Sequence, residues 1–236
     1  MILKERRRMM QVLDEYSRLR AEMVAEQIAR RGLHQPRLLA AFNQVPRHLF
    51  IPPPQRQHAY EDRPLPIGKG QTISQPYIVA LMTSLLALTG DESVLEIGTG
   101  SGYQAAILSE MAKTVHSIER HQELADTARA RLVRLGYYNV QVHYADGSSG
   151  WPDAAPYQAI IVTAAAAATP RPLFEQLAEG GRLVLPIGGS QGQTLQLWTR
   201  EAGRLDFQDV LPVSFVPLRG EFGWSEREWE PPADEV

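Results

Sequence analysis

Apolar residues recur along the chain with two different spacings, and their order predicts a sheet covered by helices. Compact apolar runs predict strands, whereas apolar residues three and four positions apart predict helices. The predicted strands are 94–97, 115–119, 139–147, 157–163, 182–188, 194–199 and 210–218. The predicted helices are 13–28, a short one from Pro36, and 76–86, 103–113, 121–135 and 170–178. This order is typical of a doubly wound α/β fold with a mostly parallel sheet, an antiparallel edge, helices on both faces and an N-terminal helical cap.

Three alternating glycines follow the first predicted strand. Gly98, Gly100 and Gly102 let the backbone turn sharply and let a ligand approach the main chain. The first amides of the following helix would point back at this loop. Glu96 stands two residues before the first glycine, where a carboxylate suits a ligand with cationic or hydroxyl groups better than a pyrophosphate. The loop therefore predicts a site for a nucleotide-type cofactor.

Two further carboxylates stand where the next predicted strands end. Glu119 lies about 20 residues after Gly98, the distance at which an acidic residue reaches a ribose diol in such folds. A surface charge is the alternative interpretation of Glu119. Asp146, followed by Gly147, ends the third strand. Because the carboxyl ends of parallel strands meet at one edge of a sheet, we expect Glu96, Glu119 and Asp146 to converge there.

The chain between the N-terminal helices and the helix from Pro76 is rich in proline and predicted to be irregular over 45–54 and 60–75. So long a stretch without regular structure indicates a functional loop or a linker. Ser74 or Gln75 would cap the helix that follows. A hydroxyl at a helix N-terminus can also meet an anion, and the two roles of Ser74 are compatible.

Composition narrows the chemistry. The chain has 236 residues, of which 44% are hydrophobic and 22% charged, a net charge of -3, six histidines and no cysteine. The lack of cysteine excludes disulfides, a thiolate nucleophile and cysteine-based metal sites, and no histidine cluster has metal-ligand spacing, so we expect no metal. We expect no nucleic-acid or membrane partner, since the sequence indicates neither a broad basic surface nor an apolar membrane span. We also expect a monomer in the cytoplasm.

Five segments resemble, in order, the motifs of the protein-L-isoaspartate O-methyltransferase family, over roughly residues 33–218. The segments are 70–77, 94–103, 145–147, 181–188 and 215–218. The glycine motif is shared by many methyltransferases, whereas the Thr-Ile-Ser-Gln-Pro-Tyr loop at 72–77 is the most specific of the five. The resemblance implies a Rossmann-like methyltransferase sheet in residues 61–220, with an N-terminal helical extension packed on it at 1–60 and an acidic, disordered tail at 221–236.

The resemblance also implies an activity and its site. The enzyme would move the methyl group of S-adenosyl-L-methionine to the free α-carboxylate of L-isoaspartyl residues in damaged proteins and peptides, leaving S-adenosyl-L-homocysteine. The expected cofactor-binding residues are Thr72, Ile73, Glu96, Gly98, Thr99, Gly100, Gly102, Glu119, Asp146 and Gly147. Ser74 matches the catalytic serine of the family, and the expected substrate-binding residues are Ser74, Gln75, Val216, Pro217 and Leu218.

Other functions remain open beside this one. The chain could be a methyltransferase for another carboxylate, a small molecule or a nucleic-acid base, or a cofactor-binding module without activity. Residues 163–166, Thr-Ala-Ala-Ala, lack the Asn/Asp-Pro-Pro-aromatic motif of amino-directed base methyltransferases. Two departures from the family pattern are Ala145, where glycine is frequent, and Ala167, which replaces a proline common after the fourth strand.

Overall fold

A computed structural model describes residues 14–225 and 228–229 of the chain. These residues form two compact units, one ending at Ser84 and one beginning at Leu85. The first 13 residues of the expected N-terminal extension lie outside the described residues, as does most of the expected tail at 221–236. Residues 221–225 are described, and the amides of Glu221 and Phe222 donate to the side chains of Asp146 and Ser148.

The first unit is mainly helical. Its helices are α1 (14–22), α2 (Pro36–Gln44) and α3 (Pro76–Leu85), with a π-helical turn at Met23–Ile28 and 3₁₀ turns at Ala29–Arg31, Arg47–Phe50 and Pro53–His58. Gly32 ends the first helical stretch with a φ of 95°, as its position in the sequence predicts. Leu38 and Phe42 of α2 are fully buried, which confirms the apolar face predicted from Pro36 onward.

The segment 60–75 is not irregular throughout. It contains a two-stranded antiparallel hairpin, β1 (Leu65–Gly68) and β2 (Gln71–Ile73). Lys69 and Gly70 form the turn with φ angles of 54° and 68°, so the strands are joined by a tight two-residue turn. The prediction of a stretch without regular structure was wrong here. Pro66 lies inside β1 and pairs with Thr72, and the register shifts between Pro66 and Gly68. A two-stranded hairpin has only edge strands, where a proline and an irregular register are tolerated.

The second unit is built on a seven-stranded sheet in the order β5-β4-β3-β6-β7-β8-β9. The strands are β3 (Ser93–Ile97), β4 (Thr114–Glu119), β5 (Val140–Tyr144), β6 (Tyr157–Val162), β7 (Leu177–Gly189), β8 (Gly192–Glu201) and β9 (Arg204–Val213). The helices are α4 (Tyr103–Ser109), α5 (Gln122–Leu135) and α6 (Arg171–Gln176). The strands from β5 to β7 are parallel, and β8 and β9 form an antiparallel edge, which confirms the predicted fold class.

Several strand boundaries differ from their predictions, and the differences are largest in β7 and β9. β7 begins at Leu177 and runs through Gly180 and Gly181, where the sequence predicts a break. β9 spans Arg204–Val213 rather than the predicted 210–218. Among the described residues, 214–218 form no strand, and Pro217 makes a bridge with Ala165. Glycine and alternating apolar residues are compatible with either assignment. Pairing of Leu177 with Tyr157 of β6 sets the start of β7, and pairing with β8 sets the bounds of β9.

Candidate active site

The glycine loop follows β3 and is attached to both neighbouring strands. The amides of Gly98 and Thr99 donate to the carbonyl oxygen of Ile118 in β4, at 2.8 and 3.1 Å. On the other side, the Thr163 hydroxyl donates to the carbonyl oxygen of Gly98 at 2.8 Å. Gly98 has a φ of 98°, and a Cβ at this position would lie 2.3 Å from the Thr163 hydroxyl oxygen. Glycine is therefore required at residue 98 for both backbone conformation and space.

Glu119 holds the loop at the end of β4. One carboxylate oxygen accepts a hydrogen bond from the amide of Gly100 at 2.8 Å, and the other accepts from the amide of His121 at 2.9 Å. The structure thus places Glu119 beside the glycine loop, as the spacing predicts. A carboxylate offers about four lone-pair positions, so two remain for donors of a ligand.

Glu96 is fully buried and lies at the centre of a hydrogen-bond chain. The Ser117 hydroxyl donates to one of its carboxyl oxygens, and the hydroxyl oxygens of Ser117 and Thr99 lie 2.5 Å apart. Burial raises the pKa of Glu96 to about 8, an effect that the nearby negative charge of Glu119 reinforces and the Ser117 hydrogen bond opposes. Within the described residues, its second oxygen, Oε1, is buried without a hydrogen-bond partner.

Asp146 and Gly147 form the turn after β5. One Asp146 oxygen accepts from the amide and hydroxyl of Ser148, at 2.9 and 2.7 Å, and the other accepts from the amide of Glu221 at 2.7 Å. A Cβ on Gly147 would lie 2.5 Å from a methyl carbon of Ile97. The turn is therefore packed directly against the end of β3, and its carboxylate holds the segment after residue 219.

The predicted substrate segment 216–218 lies beside the alanines that follow β6. Ala165 exchanges two backbone hydrogen bonds with it, to the carbonyl oxygen of Val216 at 2.8 Å and from the amide of Leu218 at 2.7 Å. Leu218 is buried and its carbonyl oxygen accepts from the amide of Trp224 at 2.8 Å. The segment is consequently fixed at the carboxyl end of β6.

Ser74 belongs to the first unit, between β2 and α3. The carbonyl oxygen of Gln75 accepts from the amide of Val79 at 3.1 Å, so the helix begins after Gln75. In the part of the chain that the structure describes, the Ser74 hydroxyl makes no hydrogen bond, while its carbonyl oxygen accepts one from Arg47. The capping interpretation of Ser74 is therefore not supported, and the hydroxyl is available to another group. Before it, Thr72 is exposed and Ile73 is buried.

The residues of the second unit fit a ligand rich in donors and positive charge. Glu119 ends β4 and Asp146 follows the adjacent parallel strand β5, and both carboxylates have lone pairs left. S-adenosylmethionine carries an ammonium, ribose hydroxyls and an adenine amine, which donate hydrogen bonds to carboxylates. It also carries a sulfonium, whose positive charge carboxylates attract. Direct contacts between these residues and the cofactor stay a prediction.

Three supporting residues were missed from the sequence: Ser117, Thr163 and Gly220. Ser117 and Thr163 are small polar residues in or after otherwise apolar strands, and that polarity in a buried run is the signal that could have found them. Gly220 has a φ of 144°, and a Cβ there would lie 1.9 Å from an Asp146 oxygen. No local pattern marks its position. In residues 14–225 and 228–229, no helix is long and apolar enough to cross a bilayer and no three candidate ligands form a metal site.

Comparison with known proteins identifies what the chain resembles. The family model "Protein-L-isoaspartate(D-aspartate) O-methyltransferase (PCMT)" matches residues 18–223. A protein-L-isoaspartate O-methyltransferase of Methanoculleus marisnigri is 52% identical over 211 residues, covering 89% of this chain and 96% of the relative. One from Syntrophus aciditrophicus is 52% identical over 217 residues, covering 91% of this chain and 100% of the relative.

Solved structures agree with these matches. A protein-L-isoaspartate O-methyltransferase has a TM-score of 0.78 and 31% identity, covering 86% of this chain and 67% of that chain. A putative member from Plasmodium falciparum, in complex with S-adenosyl-L-homocysteine, has a TM-score of 0.75 and 24% identity, covering 85% of this chain and 98% of that chain. The second likeness supports the fold.

Proposed function

We propose a function from one premise: the chain belongs to the protein-L-isoaspartate(D-aspartate) O-methyltransferase family. It transfers the methyl group of S-adenosyl-L-methionine to the free α-carboxylate of L-isoaspartyl residues in damaged proteins and peptides. The match over residues 18–223 carries this proposal, and the glycine loop held by the Glu119 carboxylate supports it. The methyl ester can then collapse to a succinimide, which reopens in part as a normal aspartyl residue.

The cofactor supplies, when bound, a methyl group on a positively charged sulfur. In this proposal the Glu119 carboxylate accepts from the ribose hydroxyls, while the Asp146–Gly147 turn meets the adenine. Gly98, Thr99, Gly100 and Gly102 allow close approach to the backbone. The chain's part in binding is therefore to present acceptors and an exposed main chain to a cationic, donor-rich ligand.

Ser74 is proposed to orient the acceptor carboxylate. Methylation removes the negative charge of that carboxylate, so a cation fixed on its oxygens would hold back the attack. A neutral hydroxyl orients the oxygens without this cost. The α-carboxyl group has a reference pKa of about 3.5 and is already ionised near neutral pH, so no general base is required. Gln75 and residues 216–218 are the proposed further contacts to the isoaspartyl residue.

Alignment and exclusion of water then account for the rate. Positioning of two reactants is worth roughly 7–11 kcal/mol of barrier in favourable cases. We propose that the segment 60–75, which contains the β1–β2 hairpin, closes over the cofactor and supplies part of this effect. We also propose that the chain acts as a monomer in the cytoplasm, and that 1–60 is a helical extension and 61–220 the catalytic domain. Light scattering on the purified chain tests the monomer.

The decisive experiment is transfer of labelled methyl groups to an isoaspartyl peptide beside its normal aspartyl twin. We expect label on the isoaspartyl peptide alone, with later release of methanol as the ester collapses. Equal labelling of both peptides would favour a less selective carboxylate methyltransferase. Cofactor binding without any transfer would favour a module that has lost activity.

A further inference from the structure

Arg47 joins the two ends of the segment that carries Ser74. Its side chain is fully buried. Its Nε donates to the carbonyl oxygen of Ala59 and its Nη2 donates to the carbonyl oxygen of Ser74, both at 2.8 Å. Ala59 immediately precedes the segment 60–75, and Ser74 lies at its far end. One guanidinium therefore links the residue before the segment to the end of the segment, and we call this pair of hydrogen bonds the Arg47 clamp.

Only arginine can make this pair of contacts. The guanidinium is a rigid, planar fork with five donors, so Nε and Nη2 can serve two carbonyl oxygens at once. The ammonium of lysine is a single point on a flexible stem and is more strongly hydrated. Burial of a cation is costly unless its donors are satisfied, so these backbone carbonyl groups offset much of that cost. The 3₁₀ turn Arg47–Phe50 begins at this residue.

The backbone of Ser74 is consequently held from both sides and from its carbonyl. Ile73 before it is buried, with 4% of its surface exposed, and Gln75 after it accepts the first hydrogen bond of α3. Arg47 holds the carbonyl oxygen between them. Since the Ser74 hydroxyl has no hydrogen bond within the described residues, its position depends on the backbone rather than on a side-chain partner.

We propose that Arg47 is a positioning residue for methyl transfer that acts through Ser74. This inference rests on the proposed function, in which the Ser74 hydroxyl orients the acceptor carboxylate. Arg47 touches no reacting atom, and its contribution is to keep the serine backbone in one conformation. The prediction that separates this role from a merely structural one is that substitutions of Arg47 and of Ser74 are not additive in kcat.

The test is a double-substitution cycle with Arg47→Lys and Ser74→Ala. We expect Arg47→Lys to lower kcat by about 10-fold, the size expected for loss of a hydrogen bond that orients a charged group, with KM for the cofactor unchanged. In the Ser74→Ala background the same change should lower kcat by less than about 2-fold. Arg30→Lys is the matched control, because Arg30 is an exposed cation of the same unit that pairs with Glu26. A loss of equal size in both backgrounds would overturn the proposal.

Hydrogen exchange tests the clamp without reference to activity. Amides of residues 71–75 should exchange about 10-fold faster in Arg47→Lys than in Arg30→Lys, while those of α2 should not change. Unchanged exchange at 71–75 overturns the clamp. If Arg47→Lys does not fold, Arg47→Gln replaces it, since an amide can still donate to one carbonyl oxygen. Wild-type turnover in Ser74→Ala also overturns the inference. A wild-type protein that methylates no isoaspartyl peptide contradicts the proposed function instead. In that case the exchange result alone decides whether the clamp exists.

Discussion

The carboxylate of Glu119 accepts a hydrogen bond from the backbone amide of Gly100 at 2.8 Å, which ties the end of β4 to the glycine loop after β3. The same carboxylate accepts from the amide of His121 at the start of α5. Glu119 therefore supports the loop with one lone pair of each oxygen, and the remaining lone pairs are the ones we propose for the ligand. Loss of its charge should affect ligand binding before it affects the fold.

Glu119→Gln should weaken binding of S-adenosylmethionine by roughly 10- to 100-fold, because hydrogen bonds to a charged group contribute about 1.5–3 kcal/mol. Isothermal titration calorimetry measures the dissociation constant directly. Glu201→Gln, an exposed residue at the end of β8, is the matched control and should bind as the wild type does. Unchanged affinity in Glu119→Gln would assign the residue to loop support alone.

Ser74→Ala should lower kcat for an isoaspartyl peptide by about 10-fold or more, since one oriented hydrogen bond to the acceptor carboxylate is lost. Cofactor affinity should stay the same, because the reacting acceptor and not the cofactor loses its partner. Steady-state kinetics with labelled cofactor measures both. Ser84→Ala is the control, since the Ser84 hydroxyl donates within α3 to the carbonyl oxygen of Leu81. Wild-type turnover in Ser74→Ala would leave Ser74 without a catalytic role.

Glu96 should make the cofactor-free protein less stable as pH rises. Burial raises the pKa of Glu96 to about 8, above the ordinary value of 4.5, so the folded protein holds a proton that the unfolded chain releases. Its stabilising contribution is complete below pH 4.5 and is lost as pH rises through 8. Between these values the free energy of unfolding should fall, relative to Glu96→Gln, by about 1.4 kcal/mol per pH unit. Urea unfolding at several pH values measures it, and parallel curves for the two proteins would contradict an elevated pKa.

His48 should make the protein less stable as pH falls, which is the opposite of the effect of Glu96. Its ring stacks on Tyr16 and its Nδ1 lies 2.8 Å from the Tyr60 hydroxyl. Burial, together with the smaller effect of the positive charges of Arg20 and Arg56, lowers the pKa of His48 from 6.5 to about 4. The folded protein excludes a proton that the unfolded chain binds, so stability is complete above pH 6.5 and is lost as pH falls toward 4.

The measurement is urea unfolding of the wild type and His48→Gln between pH 7 and 4. The free energy of unfolding of the wild type, relative to that of His48→Gln, should fall by about 1.4 kcal/mol for each pH unit below 6.5. His34→Gln serves as the control, because His34 is exposed in the same unit. An identical pH dependence in His48→Gln and the wild type would show that His48 remains accessible to protons.

Gly220→Ala should detach the segment after residue 219 from the Asp146 turn. The new methyl would lie 1.9 Å from an Asp146 oxygen, and the φ of 144° is unfavourable for alanine. We expect faster amide exchange at Glu221 and Phe222, whose amides donate to Asp146 and Ser148. Gly203→Ala is the matched control, because Gly203 also has a positive φ but open space around it. Equal exchange in the two variants would mean that the segment is held elsewhere.

The sequence alone was enough to predict the sheet, its parallel and antiparallel parts and the family. Burial of a strand on both faces requires a continuous apolar run, and β6 is such a run with a single exposed residue, Gln158. The glycine loop and Glu119 can also be predicted locally. Closely spaced glycines after an apolar run indicate a turn with positive φ angles, and a carboxylate at the end of the next apolar run indicates a strand-end acid. These features depend on residues close in sequence, and the structure confirms their places in the fold.

Tertiary structure decided the features that depend on distant partners. The role of Arg47 depends on the carbonyl groups of Ala59 and Ser74, and the role of Thr163 on the backbone of Gly98. The charge state of Glu96 depends on its complete burial, which the sequence does not reveal. The physical reason is common to all three: hydrogen bonding and desolvation depend on distances in space, which the order of residues specifies only once the chain is folded.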